Sequence, residues 1–159
     1  MNRMKKLLTL TIVAILVIGT VAGCSCSTSS QSTNSSTPKG GNVSAEDAQA
    51  MSGIWHAVLI KAASKTATPD EQGVKSTLSF NQDGTALFTY NSTTQTYNWE
   101  KQDNTIKLWG EDNDVMTAVL DGNHFTLSVE AEASNGVKAT VDWIYAKEGS
   151  EDMNPSKYQ

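Results

Sequence analysis

Leu78-Ser79-Phe80-Asn81-Gln82-Asp83-Gly84-Thr85-Ala86-Leu87-Phe88-Thr89-Tyr90 is the stretch on which the fold turns. Leu78 and Phe80 share a face, and beyond Asn-Gln-Asp-Gly so do Ala86, Phe88 and Tyr90. Apolar residues at every second position describe a strand with one buried face. Asp83-Gly84 supplies backbone suited to a tight reversal, so the whole stretch is a hairpin. A lone hairpin is marginal in water, so partners must follow elsewhere in the chain.

They do. Strands are expected at 53–62, 74–80, 85–90, 94–100, 105–109, 115–120, 124–130 and 137–147, separated by turn signals of the kind found in all-β sandwiches and barrels. Tyr97 and Trp99 share a face, as do Ile106 and Leu108. Met116, Ala118 and Leu120 follow, then Phe125, Leu127 and Val129. The last strand puts Val137, Ala139, Val141, Trp143, Tyr145 and Lys147 on one side. In the first strand both Trp55-Ala57-Leu59 and Ile54-Val58-Ile60 are apolar, and a bulge would switch its inner face partway. Ser44 followed by Ala45-Glu46-Asp47 starts a short helix, with a hydroxyl cap and acids in the first turn, ending near Met51. Eight antiparallel strands in a meander close into a barrel without free edges. The turns at 81–84, 101–104 and 121–123 make one end tight. The connections at 63–73, 91–93, 110–114 and 131–136 make the other a looser mouth.

The chain ahead of the barrel is of another kind. Residues 25–43 are almost all Ser, Thr, Gly, Asn and Gln, too polar to offset chain entropy by burial. Nineteen flexible residues span roughly 25 Å. Before them, Arg3, Lys5 and Lys6 precede an apolar run from Leu7 to Ile18 and the small residues Gly19-Thr20-Val21-Ala22-Gly23, the three parts of a secretory signal peptide. The other reading of residues 7–23 is an uncleaved membrane helix at the lower limit of spanning length. Val21-Ala22-Gly23-Cys24 resembles the lipobox of bacterial lipoproteins. That resemblance implies a diacylglyceryl group on the Cys24 thiol and an extracytoplasmic protein anchored in the cell membrane by lipid. Cys26 then has no partner for an intramolecular disulfide. Residues 1–23, 24–43, 44–148 and 149–159 are thus read as signal peptide, lipidated tether, barrel and polar tail. Removing 1–23 leaves nine basic residues against 17 acidic, a formal charge of −8. Such a surface disfavours nucleic acid.

Gly53-Ile54-Trp55, the hairpin from Leu78 to Thr85, and Tyr97-Asn98-Trp99-Glu100 with Asn104-Thr105-Ile106 resemble the lipocalin-like domains of small Gram-positive lipoproteins over residues 44–148. The resemblance implies an up-and-down barrel whose base is plugged by Trp55. It also implies a basic residue over that indole, a place for which Lys147 has the right parity. Lipocalins typically use arginine there, and the Thr-Asp-Tyr motif of the main lipocalins is absent.

Nine of the eleven aromatic residues fall at inward positions: Trp55, Phe80, Phe88, Tyr90, Tyr97, Trp99, Phe125, Trp143 and Tyr145. An eight-stranded barrel has an interior wide enough for side chains or one small ligand. Two readings therefore stand. One is a filled core. The other is a pocket lined by Phe88, Tyr90, Gln95, Tyr97 and Trp99 that takes a small apolar or amphipathic molecule. Trp109 and Val115, paired with outward parity at the mouth, are candidate contacts for a protein partner. Catalysis is not expected. His56 and His124 have outward parity, no Gly-x-Ser-x-Gly occurs, and most carboxylates fall in turns. Glu111, Asp112 and Asp114 offer oxygen ligands for calcium but lack the spacing of a known calcium loop. No cofactor or metal is expected.

Cys24→Ala is expected to abolish incorporation of a clickable fatty acid in growing cells. Labelling that survives in Cys24→Ala but is lost in Cys26→Ala would move the anchor.

Overall fold

The computed structural model describes residues 40–110, 115–132 and 138–159. The signal peptide, Cys24, Cys26, most of the tether, the acidic loop at 111–114 and Val137 lie outside the described residues. Within them the helix α1 (Ala45–Met51) starts where expected, the Ser44 hydroxyl accepting the Asp47 backbone N–H at 3.1 Å. Nine strands follow: β1 (Gly53–Ala62), β2 (Lys65–Ala67), β3 (Ser76–Phe80), β4 (Thr85–Tyr90), β5 (Thr93–Gln102), β6 (Thr105–Trp109), β7 (Val115–Asp121), β8 (His124–Glu132) and β9 (Lys138–Lys147). β1 and β3 to β9 form a closed antiparallel barrel of eight strands, sealed by the pairing of β1 with β9. This is the architecture expected from the sequence. The short β2 is an addition that folds back on the mouth end of β1.

The turns explain the register. Gly84 (φ 79°) closes the β3–β4 hairpin, where Thr85 donates from both its backbone N–H and its hydroxyl to the Asp83 carboxylate. Those hydrogen bonds hold the Asp83 carboxyl below its usual range. Asp103 and Gly122 take positive φ in the two-residue turns of β5–β6 and β7–β8. One mouth connection is as tight as those of the base. Asn91-Ser92 joins β4 to β5, and the Asn91 side chain ties the turn to the Lys75 backbone N–H at 2.9 Å.

The first strand resolves its ambiguity with a bulge. Ala57 pairs with Tyr145 and Leu59 with Ile144, leaving Val58 as the extra residue. Trp55 and Ala57 therefore point inward below the bulge, and Ile60 and Ala62 above it. Val58 and Leu59 join Ile144 and Ala146 in a second apolar cluster on the outer wall, covered by Met153 and Tyr158. Residues 149–159 are thus no free polar tail. They form two 3-10 turns (Glu151–Met153 and Pro155–Tyr158) that lie against β1 and β9.

At the base, α1 and the residues before it act as a floor. Gly41 donates its N–H to Gly84 O at 2.8 Å, so close to β5 that a Cβ at position 41 would run into the Trp99 carbonyl. Val43 and Met51 reach the core from either end of this segment. Lys101 closes a 2.7 Å ion pair with Asp47, whose carboxyl is held below its usual range first by that bond and then by Ser44.

Gly41→Ala is expected to force residues 40–43 off the base rather than distort β5. The loss of one hydrogen bond and of Val43 packing should lower stability by about 1–2 kcal/mol in urea unfolding. An unchanged midpoint would mean that this segment adds nothing to the fold.

Candidate ligand-binding site at the mouth

The inner surface changes character along the barrel axis. Near the base, Trp55, Phe80, Trp99, Phe125 and Tyr145 are between 0 and 4% exposed. Their rings interlock: Trp55 lies 5.2 Å from Phe125, Phe80 meets Trp99 edge-on at 5.0 Å, and Phe125 stacks on Tyr145 at 5.0 Å. The base is a filled aromatic core. The Trp55 indole N–H donates to Met51 O at 2.9 Å. Lys147 Nζ stands 5.6 Å from the Trp55 ring centroid and donates to Ala50 O at 2.9 Å. Trp55 and Lys147 thus meet where they were placed from the sequence, and one ammonium ties β9 to the end of α1.

Towards the mouth the packing opens. Phe88, Tyr90, Gln95, Met116 and Val129 occupy inward positions yet are only half-buried. Cross-strand pairing fixes their direction, since Phe88 sits opposite buried Leu78 and Tyr90 opposite buried Ser76. Phe88 meets Tyr97 edge-on, and Tyr90 meets Trp143 likewise, each at 6.1 Å. The Tyr97 hydroxyl donates to Gln95 Oε1 at 2.9 Å. Below them the Ser76 and Tyr145 hydroxyls share a 2.7 Å hydrogen bond in the buried interior. Burial pushes the Tyr145 phenol pKa well up, with small additions from Tyr90 and Tyr97, and burial raises that of Tyr90 too.

Four of the five residues expected to line a pocket are therefore brought together: Phe88, Tyr90, Gln95 and Tyr97. Trp99 is not among them. It is fully buried against Phe80, and its indole N–H donates to Asn81 O at the base. Two residues along β5 carry it from the mouth layer into the floor. Ser76, Met116, Val129 and Trp143 complete the mouth. For Ser76 the signal was a hydroxyl residue at the inward parity of Leu78 and Phe80.

The outer surface also differs from expectation. Trp109 points outward but is half-buried, because a Cβ on Gly41 would come within 2.9 Å of its ring. Its cross-strand neighbour Val115 is 60% exposed, and Val119 is 58% exposed. The exposed apolar surface on β7 is thus made by valines, with the tryptophan partly covered by residues 40–41. His56 and His124 point outward without being freely solvated, their side chains 32% and 23% exposed. The Tyr158 ring 5.0 Å away and Asp152 cover His124. Among the described residues no group of three or more His, Cys, Asp and Glu side chains is arranged to hold a metal ion.

No family model matches the chain. No curated protein matches it either. Among solved structures it is similar to bovine odorant binding protein complexed with its natural ligand, at 20% identity and a TM-score of 0.38, covering 68% of this chain and 77% of that one. A deswapped triple mutant of bovine odorant binding protein is similar at 18% identity and a TM-score of 0.37, covering 65% and 79%. The complex of that protein with undecanal gives 18% identity and a TM-score of 0.36, covering 68% and 77%.

Ser76→Ala is expected to strand the buried Tyr145 hydroxyl and cost about 1–3 kcal/mol in denaturant unfolding. Adding Tyr145→Phe should recover part of that loss, because both ends of the bond are then gone. Tyr145 also sets a pH signature. Its folded pKa lies above the ordinary 10.0, so its contribution is whole below that value and is lost as pH rises past it. Stability should therefore fall above pH 10.0 less steeply in Tyr145→Phe than in the native chain.

Proposed function

We propose that this protein is a lipid-anchored, extracytoplasmic binding protein with a lipocalin-like barrel, whose open end takes up a small apolar or amphipathic molecule. The observation that carries the reading is the partial exposure of inward-facing aromatics at one end of a barrel whose other end is sealed. Phe88 and Tyr90 would be covered in a solid core of this kind, as Trp55, Trp99 and Phe125 are. Aromatic walls with few polar groups suit an apolar body that carries one or two hydrogen-bonding atoms. Binding rather than catalysis is supported by the character of the polar groups inside. Among the described residues of the mouth half they are phenols, a serine bonded to one of them, a threonine and an amide, with no base beside a nucleophile.

Anchoring rests on Val21-Ala22-Gly23-Cys24 and on the polar stretch that follows. Residues 40–43 enter the fold at the closed base, so the chain leading to the anchor leaves from the end opposite the mouth. A second reading, contact with a protein partner, is supported by the exposed Val115 and Val119 on β7. It places no demand on the interior.

Residues 25–159, made without the lipid, should retain an added aromatic or aliphatic ligand in native mass spectrometry. Phe88→Asp should reduce that binding by at least about tenfold, by placing a carboxylate in an apolar wall. Equal binding by Phe88→Asp, or no binding by the native chain, would remove the mouth as a ligand site and leave the protein-contact reading.

A further inference from the structure

Among the described residues the interior carries its charges in one layer. Cross-strand pairs share a face, so Lys101 opposite buried Ile106 and Lys147 opposite buried Trp55 both point inward. Among the described residues these are the charged side chains at inward positions of the barrel strands. Both are spent at the base, Lys101 on Asp47 and Lys147 on Ala50 O and the Trp55 ring. In the mouth half the polar atoms of the described inward residues are all uncharged, and two of their hydroxyls share a hydrogen bond, Ser76 with Tyr145.

The remaining polar groups are the Tyr90 hydroxyl, which can donate or accept, the Gln95 NH2, which only donates, and the exposed Thr93 hydroxyl across from Tyr90. Tyr97 donates to Gln95 Oε1, which occupies the carbonyl side of that amide and directs its NH2 group elsewhere. The Tyr90 hydroxyl makes no hydrogen bond among the described residues. Its ring stands edge-on to Trp143, and across β3–β4 it faces Ser76. One O–H and one NH2 are therefore left at part-buried inward positions of β4 and β5, where Phe88, Met116 and Val129 are the part-buried apolar residues and Trp143 lies against Tyr90. Resting on the reading of the mouth as a ligand site, we infer that it selects uncharged molecules bearing one acceptor oxygen, a carbonyl or ether on an aromatic or aliphatic body, held oxygen-inward by Tyr90 and Gln95. Carboxylates are rejected. An anion entering this layer loses its water and meets no inward cation among the described residues, because Lys101 and Lys147 are held at the base. A hydrocarbon of equal shape enters but leaves both donors without a partner.

Three ligands of nearly one shape test this: p-butylacetophenone, p-butylbenzoate and p-butylcumene, which differ in carrying a ketone, a carboxylate or an isopropyl group. Each is titrated at neutral pH into residues 25–159 and into Tyr90→Phe, with binding read by calorimetry. The ketone is expected to bind at least about tenfold more tightly than the carboxylate. Tyr90→Phe should weaken the ketone about fivefold while leaving p-butylcumene unchanged. Circular dichroism of Tyr90→Phe checks that it remains folded, and the unchanged affinity for p-butylcumene does so at the site itself. A carboxylate that binds as well as the ketone overturns the exclusion of anions. A Tyr90→Phe variant that weakens all three equally, or none, overturns the oxygen-inward placement. Either result leaves the mouth standing as a ligand site. Failure of all three ligands to bind removes that site, and this inference with it.

Discussion

Trp55 is the side chain on which the rest of the barrel depends. Its backbone pairs with Leu78 of β3 on one side and Lys147 of β9 on the other, so it sits at the seam where the sheet closes on itself. Its indole N–H holds the last carbonyl of α1, its ring supports Phe80 and Phe125, and the Lys147 ammonium covers it from the base. Closure of a sheet costs chain entropy that no local pairing repays, because β1 and β9 lie far apart in the sequence. Bringing both seams, the helix and the aromatic floor to one large side chain concentrates that repayment at a single point. Aromatic pairs of this geometry add a modest increment beyond the area they bury.

A firm floor changes what the opposite end has to do. With the base packed by five interlocked aromatic rings, the fold does not need Phe88, Tyr90 and Gln95 to fill the mouth. The hydroxyl pair of Ser76 and Tyr145 marks the boundary between the two regimes. Below it the aromatic floor is closed; at its level and above, the inward polar atoms of the described residues are neutral. Among the described inward residues charge is confined to the bottom, where the ends of Lys101 and Lys147 reach partners on α1. Among the described residues, a lysine placed at an inward mouth position would find neither an inward carboxylate nor a helix terminus to satisfy it. Among the described residues, the same distribution that stabilises the base leaves the inward positions of the mouth half without charge.

Much of this was legible in the sequence, because period-two alternation and turn chemistry are local signals. The β3–β4 hairpin, the run of eight meander strands, the cap at Ser44 and the nine inward aromatics all follow from residues close together in the chain. The bulge in β1 was legible as a conflict, since two apolar parities in one strand cannot both face the core without an extra residue. Phe88, Tyr90, Gln95 and Tyr97 were legible as a set because alternation assigns a face. Depth along the barrel was not, which is why Trp99 was grouped with the mouth. Alternation says which face a residue takes and nothing about its layer, and layer depends on strand tilt and stagger. Contacts between segments far apart in sequence were equally hidden. The approach of Gly41 to Trp99 and Trp109, the Asp47–Lys101 pair and the hydrogen bond from Ser76 to Tyr145 leave no periodic trace.

The C-terminal segment shows how one of those hidden features follows from a visible one. The bulge at Val58 lets Ile60 face inward opposite Trp143, but it leaves Leu59 and Ile144 on the outside of the barrel, with Val58 and Ala146 beside them. Four apolar side chains on a solvated wall would form a patch of the kind that promotes association. Met153 and Tyr158 cover them, and the covering segment is held by polar contacts at its edges. Lys157 donates to the Asp152 carboxylate at 2.9 Å, the Tyr158 hydroxyl donates to Asp152 O at 3.1 Å, and His124 lies 3.6 Å from that same carboxylate. Asp152 is accordingly held below its usual pKa, by Lys157 first. A run of residues that reads as polar in sequence is thus required by the geometry of β1. Once the strand gains an extra residue to keep its inner face apolar, an apolar outer face appears with it, and some other part of the chain must bury that surface.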